Sequence, residues 1–511
     1  MSVRQFFVAF FCLCNSFSVF AGSVLNITST KARMRSDYEL VKVNDSEDMG
    51  MLGIHYDFFP FDDFQNIYLG VGSLGAVHGD RGGFFTGGLS AGWLEPLAKR
   101  HFIDFGVHIA GGGGASAFPG SGMVLRSHVG YEYQNGDINL RTGLAHTKFI
   151  DTTNSNNSDI HPYVGISFPT EFINSFTSDT AISSNNLYSP SRFEYAPAMI
   201  TYSPDDNVYL RSGKAQTETA ALLGMQMNWF TGKGNYYGTL GFYGAGNGGI
   251  DGYATVLAGI GWRYKFTRSF YLDGKMMAGM GGGGDVDTGG GLYYQPMLGA
   301  GFIISRYFST DVLIGRTYAD DGGFESTTLM LALNWTPNVV IPSFETVSLD
   351  SNSLQSVDWS AFVDHKTYLP KSGILTKAGQ PYADSINLLG FGIEKPILNW
   401  LSLSGRGYGA WSGGVGAYAE GLFGVKLHSS DLFSSYNMLA HARYDVGVAG
   451  GGGMEVGDGV INQLTFGLGY QLADKVLLRA ECGKMQAVNG TFDATTVVIG
   501  IDWSFGLPVK R

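Results

Sequence analysis

Cysteine is almost absent from this chain: there are three in 511 residues, and two of them, Cys12 and Cys14, fall within the first 21. A protein left with Cys482 alone has no internal disulfide, which excludes a small stapled secreted scaffold. Long apolar runs are missing as well. None reaches the roughly 18 residues that a helical membrane span requires. Charged residues make up only 15% of the chain and the formal net charge is −11, which argues against binding nucleic acid by simple attraction. Histidines occur singly, without metal-ligand spacing, and the glycine-rich stretches lack the Gly-Lys-Ser/Thr ending of a phosphate loop. No metal and no cofactor is expected.

Glycine and aromatics are abundant instead, with 75 glycines and 14% Phe, Trp and Tyr. That balance fits an exported, aromatic-rich β protein better than an ordinary soluble enzyme. The N-terminus agrees. Residues 1–21 read as a cleaved secretory signal, with Arg4 as the positive region, Phe6 to Leu13 as the apolar stretch, and Ser18-Val19-Phe20-Ala21 before the cut.

Four consecutive glycines recur three times, at Gly111–Gly114, Gly281–Gly284 and Gly450–Gly453, with starts 170 and 169 residues apart. Fixed-period similarity of this kind marks repeated structural units. Around each run the similarity continues, through Leu89, Leu257 and Leu422 upstream and Gly130-Tyr131, Gly301-Phe302 and Gly469-Tyr470 downstream. Three diverged copies fill the mature chain: repeat 1 over 22–169, a linker over 170–191, repeat 2 over 192–337, a linker over 338–355 and repeat 3 over 356–511.

The middle copy divides into eight stretches with the alternation of strands: 192–202, 219–230, 236–245, 253–264, 269–280, 292–305, 307–317 and 327–335. Val256, Ala258, Ile260, Trp262 and Tyr264 share one face; Leu257, Gly259, Gly261 and Arg263 share the other. Connections alternate between short turns, such as Gln134-Asn135-Gly136-Asp137, and long polar segments or the glycine runs. Aromatics including Phe58, Phe59, Trp229, Tyr264, Tyr271 and Phe308 crowd beside the short turns. Sorted loops and an aromatic belt are the marks of a membrane barrel with about 9–11 residues per tilted strand.

The last strand, Val498 to Phe505, carries a glycine followed by aromatics at alternate positions: Gly500, Trp503 and Phe505. It resembles the C-terminal assembly signal of bacterial outer-membrane β-barrel proteins. The resemblance implies an outer-membrane location, lipid and lipopolysaccharide as surroundings, and barrel-assembly machinery as a partner. Trp503 and Phe505 are then expected to face lipid at the periplasmic rim. The chain departs from the pattern by continuing six residues to Arg511.

The expected fold is therefore all-β: a transmembrane antiparallel up-and-down barrel of about 24 strands. The preferred closure is one wide barrel, with three tandem eight-stranded barrels as the alternative. Pairing of the strand near Arg192–Tyr202 decides between them. A partner at Thr327–Trp335 closes each copy alone, whereas a partner at Ile160–Phe168 joins the copies into one wall.

Inward charges recur in each copy: Asp104, His108, Arg126, Glu132 and Arg141; Asp273, Lys275 and Asp311; Arg443, Asp445, Arg479 and Glu481. One reading is a porin-like lumen for small hydrophilic solutes, and the mixed signs exclude a strongly ion-selective ring. The other is an ion-paired network filling a closed barrel, since unpaired buried charge is costly. A surface, adhesion or structural role is the rival to the channel. No enzyme is expected. The nearest catalytic constellation, His146 with Ser155, Ser158, Asp159 and His161, has no esterase motif around it and no counterpart in the other copies. Acidic pairs such as Asp285 with Asp287 read as solvated loop residues.

Overall fold

The computed structural model describes residues 24–42, 48–61, 63–114, 122–150, 158–178, 188–190, 192–230, 235–337, 340–342, 354–429 and 437–510. The expected signal over 1–21 lies outside them, as does Ser155. Among the described residues there is no helix.

The first copy supplies β1 (Val24–Val41), β2 (Met49–Phe58), β3 (Ile67–His78), β4 (Phe85–Ala98), β5 (His101–Gly113), β6 (Met123–Gln134), β7 (Asn139–Ile150) and β8 (Ser158–Ser178). After the short β9 (Tyr188–Pro190), the second supplies β10 (Arg192–Pro204), β11 (Ala220–Phe230), β12 (Tyr236–Ala245), β13 (Ala254–Lys265), β14 (Phe270–Gly282), β15 (Leu292–Ile303), β16 (Phe308–Ala319) and β17 (Glu325–Trp335). Following β18 (Val340–Pro342) come β19 (Leu354–Pro370), β20 (Ile386–Leu398), β21 (Leu401–Ser412), β22 (Ala419–His428), β23 (Met438–Gly450), β24 (Val460–Ala473), β25 (Val476–Ala487) and β26 (Asp493–Lys510).

These form three closed antiparallel barrels of eight strands each. The all-β, 24-strand expectation holds, but the single wide wall does not. β10 pairs with β17, with Tyr202 opposite Thr328 and Ala198 opposite Ala332. The first barrel closes through β1 and β8, and the third through β19 and β26. The physical reason lies inside. A tyrosine from one strand lies over a glycine on another, so the two occupy little more than one side chain's space. A Cβ on Gly301 would stand 2.4 Å or less from the Tyr271 ring, and one on Gly92 would overlap the Tyr68 phenol. Such interlocking fills the narrow interior of an eight-stranded barrel and would leave a wide one hollow.

The barrels are apolar outside and polar inside. Along β17, Ser326, Thr328, Met330, Ala332 and Asn334 are buried, while Leu329 and Leu331 point out. On the outer surface Ile160 is 70% exposed, Ile260 72% and Leu298 64%. Cys482 is exposed on the same outer face. Not all of the expected aromatic belt faces outward: Phe59 and Tyr271 are buried within their barrels.

The glycine runs hold the barrels together. Each run ends the fifth strand of its barrel and lies against the third strand, or the hairpin after it, in a neighbour. A Cβ on Gly111 would stand 2.7 Å from the Gly409 carbonyl oxygen, and one on Gly282 would stand 2.6 Å from the Gly82 carbonyl carbon. Similarly, one on Gly450 would stand 2.5 Å from the Gly252 Cα. The first barrel therefore docks on the third, the second on the first and the third on the second. This closed heterologous ring is the geometry of a cyclic trimer within one chain. Only glycine lets strands approach backbone to backbone in this way. Hydrogen bonds cross two of the junctions, from the Ala417 amide to the Gly112 carbonyl at 3.1 Å and from the Gly82 amide to the Gly289 carbonyl at 2.8 Å. Lys377 pairs with Asp251 across the remaining one at 2.6 Å.

Candidate functional site: filled barrels around an apolar chamber

Strand alternation turns every second residue inward, and all twelve of the sequence-picked charged positions are buried. In the first barrel Arg33 from β1 bonds to Asp57, Asp104 and Glu132 at 3.0, 2.8 and 2.8 Å. Arg141 reaches Asp104 at 2.9 Å and also pairs with Asp37, while Arg126 bonds Glu39 at 2.7 Å. His108 accepts or donates a 3.0 Å bond with Ser90 and packs edge-on against His55.

The second barrel is the simplest case. Two buried cations, Arg263 and Lys275, meet three buried carboxylates, Glu194, Asp273 and Asp311. Arg263 lies 2.8 Å from Glu194, 2.7 Å from Asp273 and 3.3 Å from Asp311. Lys275 is bound by the Gln226 amide oxygen at 2.9 Å. In the third barrel Arg479 bonds Asp364 and Glu481, both at 2.6 Å, and Asp502 at 3.1 Å. Arg443 bonds Glu394 at 3.0 Å, and Arg406 pairs with Asp445.

Sequence reasoning missed Arg33, Arg35 and Asp57 of the first barrel, Glu194 of the second, and Asp364, Glu394, Arg406 and Asp502 of the third. It placed Arg263 on a polar face without adding it to the charged set. A signal was there. Arg33, Arg35, Asp37 and Glu39 alternate strictly with period two, which is the spacing of a buried charged face.

Toward the long loops each charged layer gives way to an apolar one. In the second barrel Tyr202, Tyr253, Tyr293 and Phe324 pack against one another, mostly edge to face, with ring centroids 5.6–6.4 Å apart. Tyr368, Tyr418 and Phe492 do the same in the third, and Phe84 meets Phe149 in the first. Each interior is thus an ion-paired layer under an aromatic lid.

Of the catalytic constellation, Ser155 lies outside the described residues and Ser158 is exposed. His146 is exposed on the outer face, whereas His161 is buried and lies 3.2 Å from Asp159 and 3.5 Å from Glu39. Among the described residues no cluster of His, Cys, Asp and Glu is arranged to hold a metal.

The terminal strand corrects another expectation. Trp503 and Phe505 face the first barrel instead of lipid. Trp503 stacks on Phe58 at 6.0 Å and lies 5.2 Å from Phe172, while Phe505 meets Phe172 at 5.1 Å. Gly500 faces inward, where a Cβ would overlap Asp364 and crowd Arg479. Of the residues beyond Phe505, Gly506–Lys510 continue β26 and pair with β19, from Asp358 opposite Gly506 to Leu354 opposite Lys510.

Between the barrels lies a chamber of about 3190 Å³. All three contribute outward-facing side chains to it, including Leu69, Leu89, Leu223, Phe242, Leu389 and Phe423. Gly112, Gly282 and Gly450 line it at the long-loop end, and Phe172, Trp359, Trp400 and Trp503 line it at the short-turn end.

The fold defines the class: closed, filled, antiparallel β-barrels, three in one chain. No protein-family model matches the sequence, and no curated protein matches it. Among solved structures, the siderophore receptor PirA from Pseudomonas aeruginosa aligns over 93% of this chain and 80% of its own, at 9% identity and TM-score 0.27. PirA from Acinetobacter baumannii aligns over 93% and 80%, at 8% identity and TM-score 0.28. OpdQ from Pseudomonas aeruginosa aligns over 95% and 97%, at 9% identity and TM-score 0.20. Likenesses this slight carry no argument about what this chain does.

Proposed function

We propose that this is an integral outer-membrane protein whose three barrels cross the bilayer as a closed scaffold and pass no solute through their lumens. The membrane setting is supported by the inside-out pattern. Large residues such as Ile260, Leu298 and Phe466 stand exposed in a continuous outer band, more apolar surface than a water-soluble monomer carries. The expected N-terminal signal and the terminal Gly500–Trp503–Phe505 pattern support placement in the outer membrane. In this orientation the short turns face the periplasm and the glycine runs face outward.

The observation that carries the closed reading is Arg263, fastened to three carboxylates beneath the Tyr202–Tyr253–Tyr293 lid. A hydrophilic solute would have to break buried charge pairs and part an aromatic cluster to pass, and each step is costly. The porin-like alternative requires that the lumens open. Purified protein in planar bilayers distinguishes the two. The closed scaffold gives no unitary conductance steps across the accessible voltage range; reproducible steps that respond to Arg263→Ala or Tyr293→Ala would establish a lumen pathway instead.

A further inference from the structure

We propose that the chamber between the barrels seats a glycerophospholipid, its acyl chains among the three apolar walls and its phosphate at the short-turn end; this rests on the membrane-embedded scaffold reading above. Protein interiors are packed as densely as organic crystals, with few voids larger than a water molecule. An apolar cavity of about 150 Å³ already stays dry and takes up benzene. At about 3190 Å³ this chamber is larger by a factor of about twenty, and its walls offer little to hold a column of water. It needs a large apolar occupant.

The third barrel is hollowed to receive one. Gly407 on β21 sits opposite Gly421 on β22, both on the chamber wall. A Cβ at either position would meet nothing within 4 Å. The other two barrels present Leu69, Leu89 and Phe242 to the same space, so the open depth lies toward the glycines.

Charge selects the occupant and its direction. The Lys395 ammonium lies 5.1 Å from the Trp359 ring centre and 5.5 Å from that of Trp335, and the Lys475 ammonium lies 5.2 Å from that of Phe176. Both lysines line the chamber at its short-turn end. Cations beside interfacial aromatics are the setting of a lipid headgroup. Among the described lining residues, the long-loop end offers glycine backbone, apolar side chains and the buried Tyr253, Thr255 and Glu420, but no cation. The Asp358 carboxylate lines the same end near Lys395, so the two lysines face one acid there. A lipid entering from the short-turn leaflet still finds cations for its phosphate, and one entering from the opposite leaflet finds none. A second copy of the chain is poorly suited to this place, because the three barrels of this chain already wall its sides.

Native mass spectrometry of the full-length protein in a non-lipid detergent tests this. Wild type should retain phospholipid in a fixed low stoichiometry. Gly407→Trp and Gly421→Trp, placed where an added Cβ meets no neighbour, should lose that lipid at least tenfold while remaining heat-modifiable on gels. Leu298→Trp on the outer band, a control for loosely held surrounding lipid, should leave it unchanged. Lys395→Glu with Lys475→Glu should shorten retention under rising detergent. Wild type that runs bare, or lipid lost equally from the Leu298→Trp protein, would overturn the proposal, as would a peptide or lipopolysaccharide mass in the lipid's place. Bilayer recordings separate this failure from that of the scaffold reading. A bare and silent wild type overturns lipid binding alone. Conductance in wild type that Gly407→Trp abolishes makes the chamber an aqueous path and overturns both.

Discussion

Gly450, at the end of β23, meets Gly252 of the second barrel so closely that a Cβ on Gly450 would stand 2.5 Å from the Gly252 Cα. The atom it would strike is backbone, so no side-chain rotation relieves the overlap. Gly450→Val should therefore open this junction while leaving each barrel closed, at a cost of about 1–3 kcal/mol as in other overpacked sites. The expected outcome is protein that still inserts but is cut by protease between barrels, near the segment joining β17 to β19, where wild type resists. Equal resistance would mean the junction does not hold the ring.

Arg263 serves three carboxylates at once, and its side chain is 4% exposed. Arg263→Met should destabilise the folded barrel by about 3–5 kcal/mol, because Glu194, Asp273 and Asp311 are left facing one another. Combining it with Glu194→Gln, Asp273→Asn and Asp311→Asn should recover most of the loss. Denaturant midpoints of the folded form, read by gel mobility, check both expectations. A single mutant as stable as wild type would show that the charged layer does not support closure.

The terminal strand makes a graded prediction. Deleting Val498–Arg511 removes pairing partners of both β19 and β25, so the third barrel cannot close and no assembled protein should be recovered. Removing only Gly506–Arg511 leaves Pro370 to Trp359 paired with Ala494 to Phe505. It does remove the 2.9 Å bond from the Gly506 amide to Asn174 on the first barrel. That truncation should assemble in reduced yield, losing about 0.5–1.5 kcal/mol for each ladder bond removed. Yield equal to wild type would mean the extension contributes nothing to the seam.

Orientation is tested on intact cells in a Cys482→Ser background. Cysteine at Gly323, on the long-loop side, should react with an impermeant reagent, and cysteine at Gly136, in a short turn, should not. The reverse labelling would invert the topology.

Strand position was legible in the sequence because alternation at period two is written residue by residue. The stretch 253–264 reads as a strand, and β13 spans Ala254–Lys265. The inward facing of Asp104, Arg141 and Arg479 followed from the same rule. Closure was not legible, since an alternating strand looks the same in a wide wall and a narrow one. The clue lay in pairs such as Gly301 with Tyr271, which share one interior space but stand on different strands. By local pattern the glycine runs read as connections between strands. Their role depends on meeting Gly252 or Gly409 across distances in sequence that no local pattern records. Trp503 was misread for a related reason: an outward aromatic faces lipid on a lone barrel and a neighbour on a packed one.

The most direct test of the account is the closing pair of the second barrel. Thr201 on β10 stands opposite Leu329 on β17. Directly opposed residues of antiparallel strands lie about 4.5–5.5 Å apart between Cα atoms, within disulfide reach. In a Cys482→Ser background, Thr201→Cys with Leu329→Cys should oxidise to an intramolecular disulfide in the assembled protein, and Thr201→Cys with Val164→Cys should remain as free thiols. A disulfide between 201 and 164, with none between 201 and 329, would place β10 beside β8 and make the three copies one wall after all.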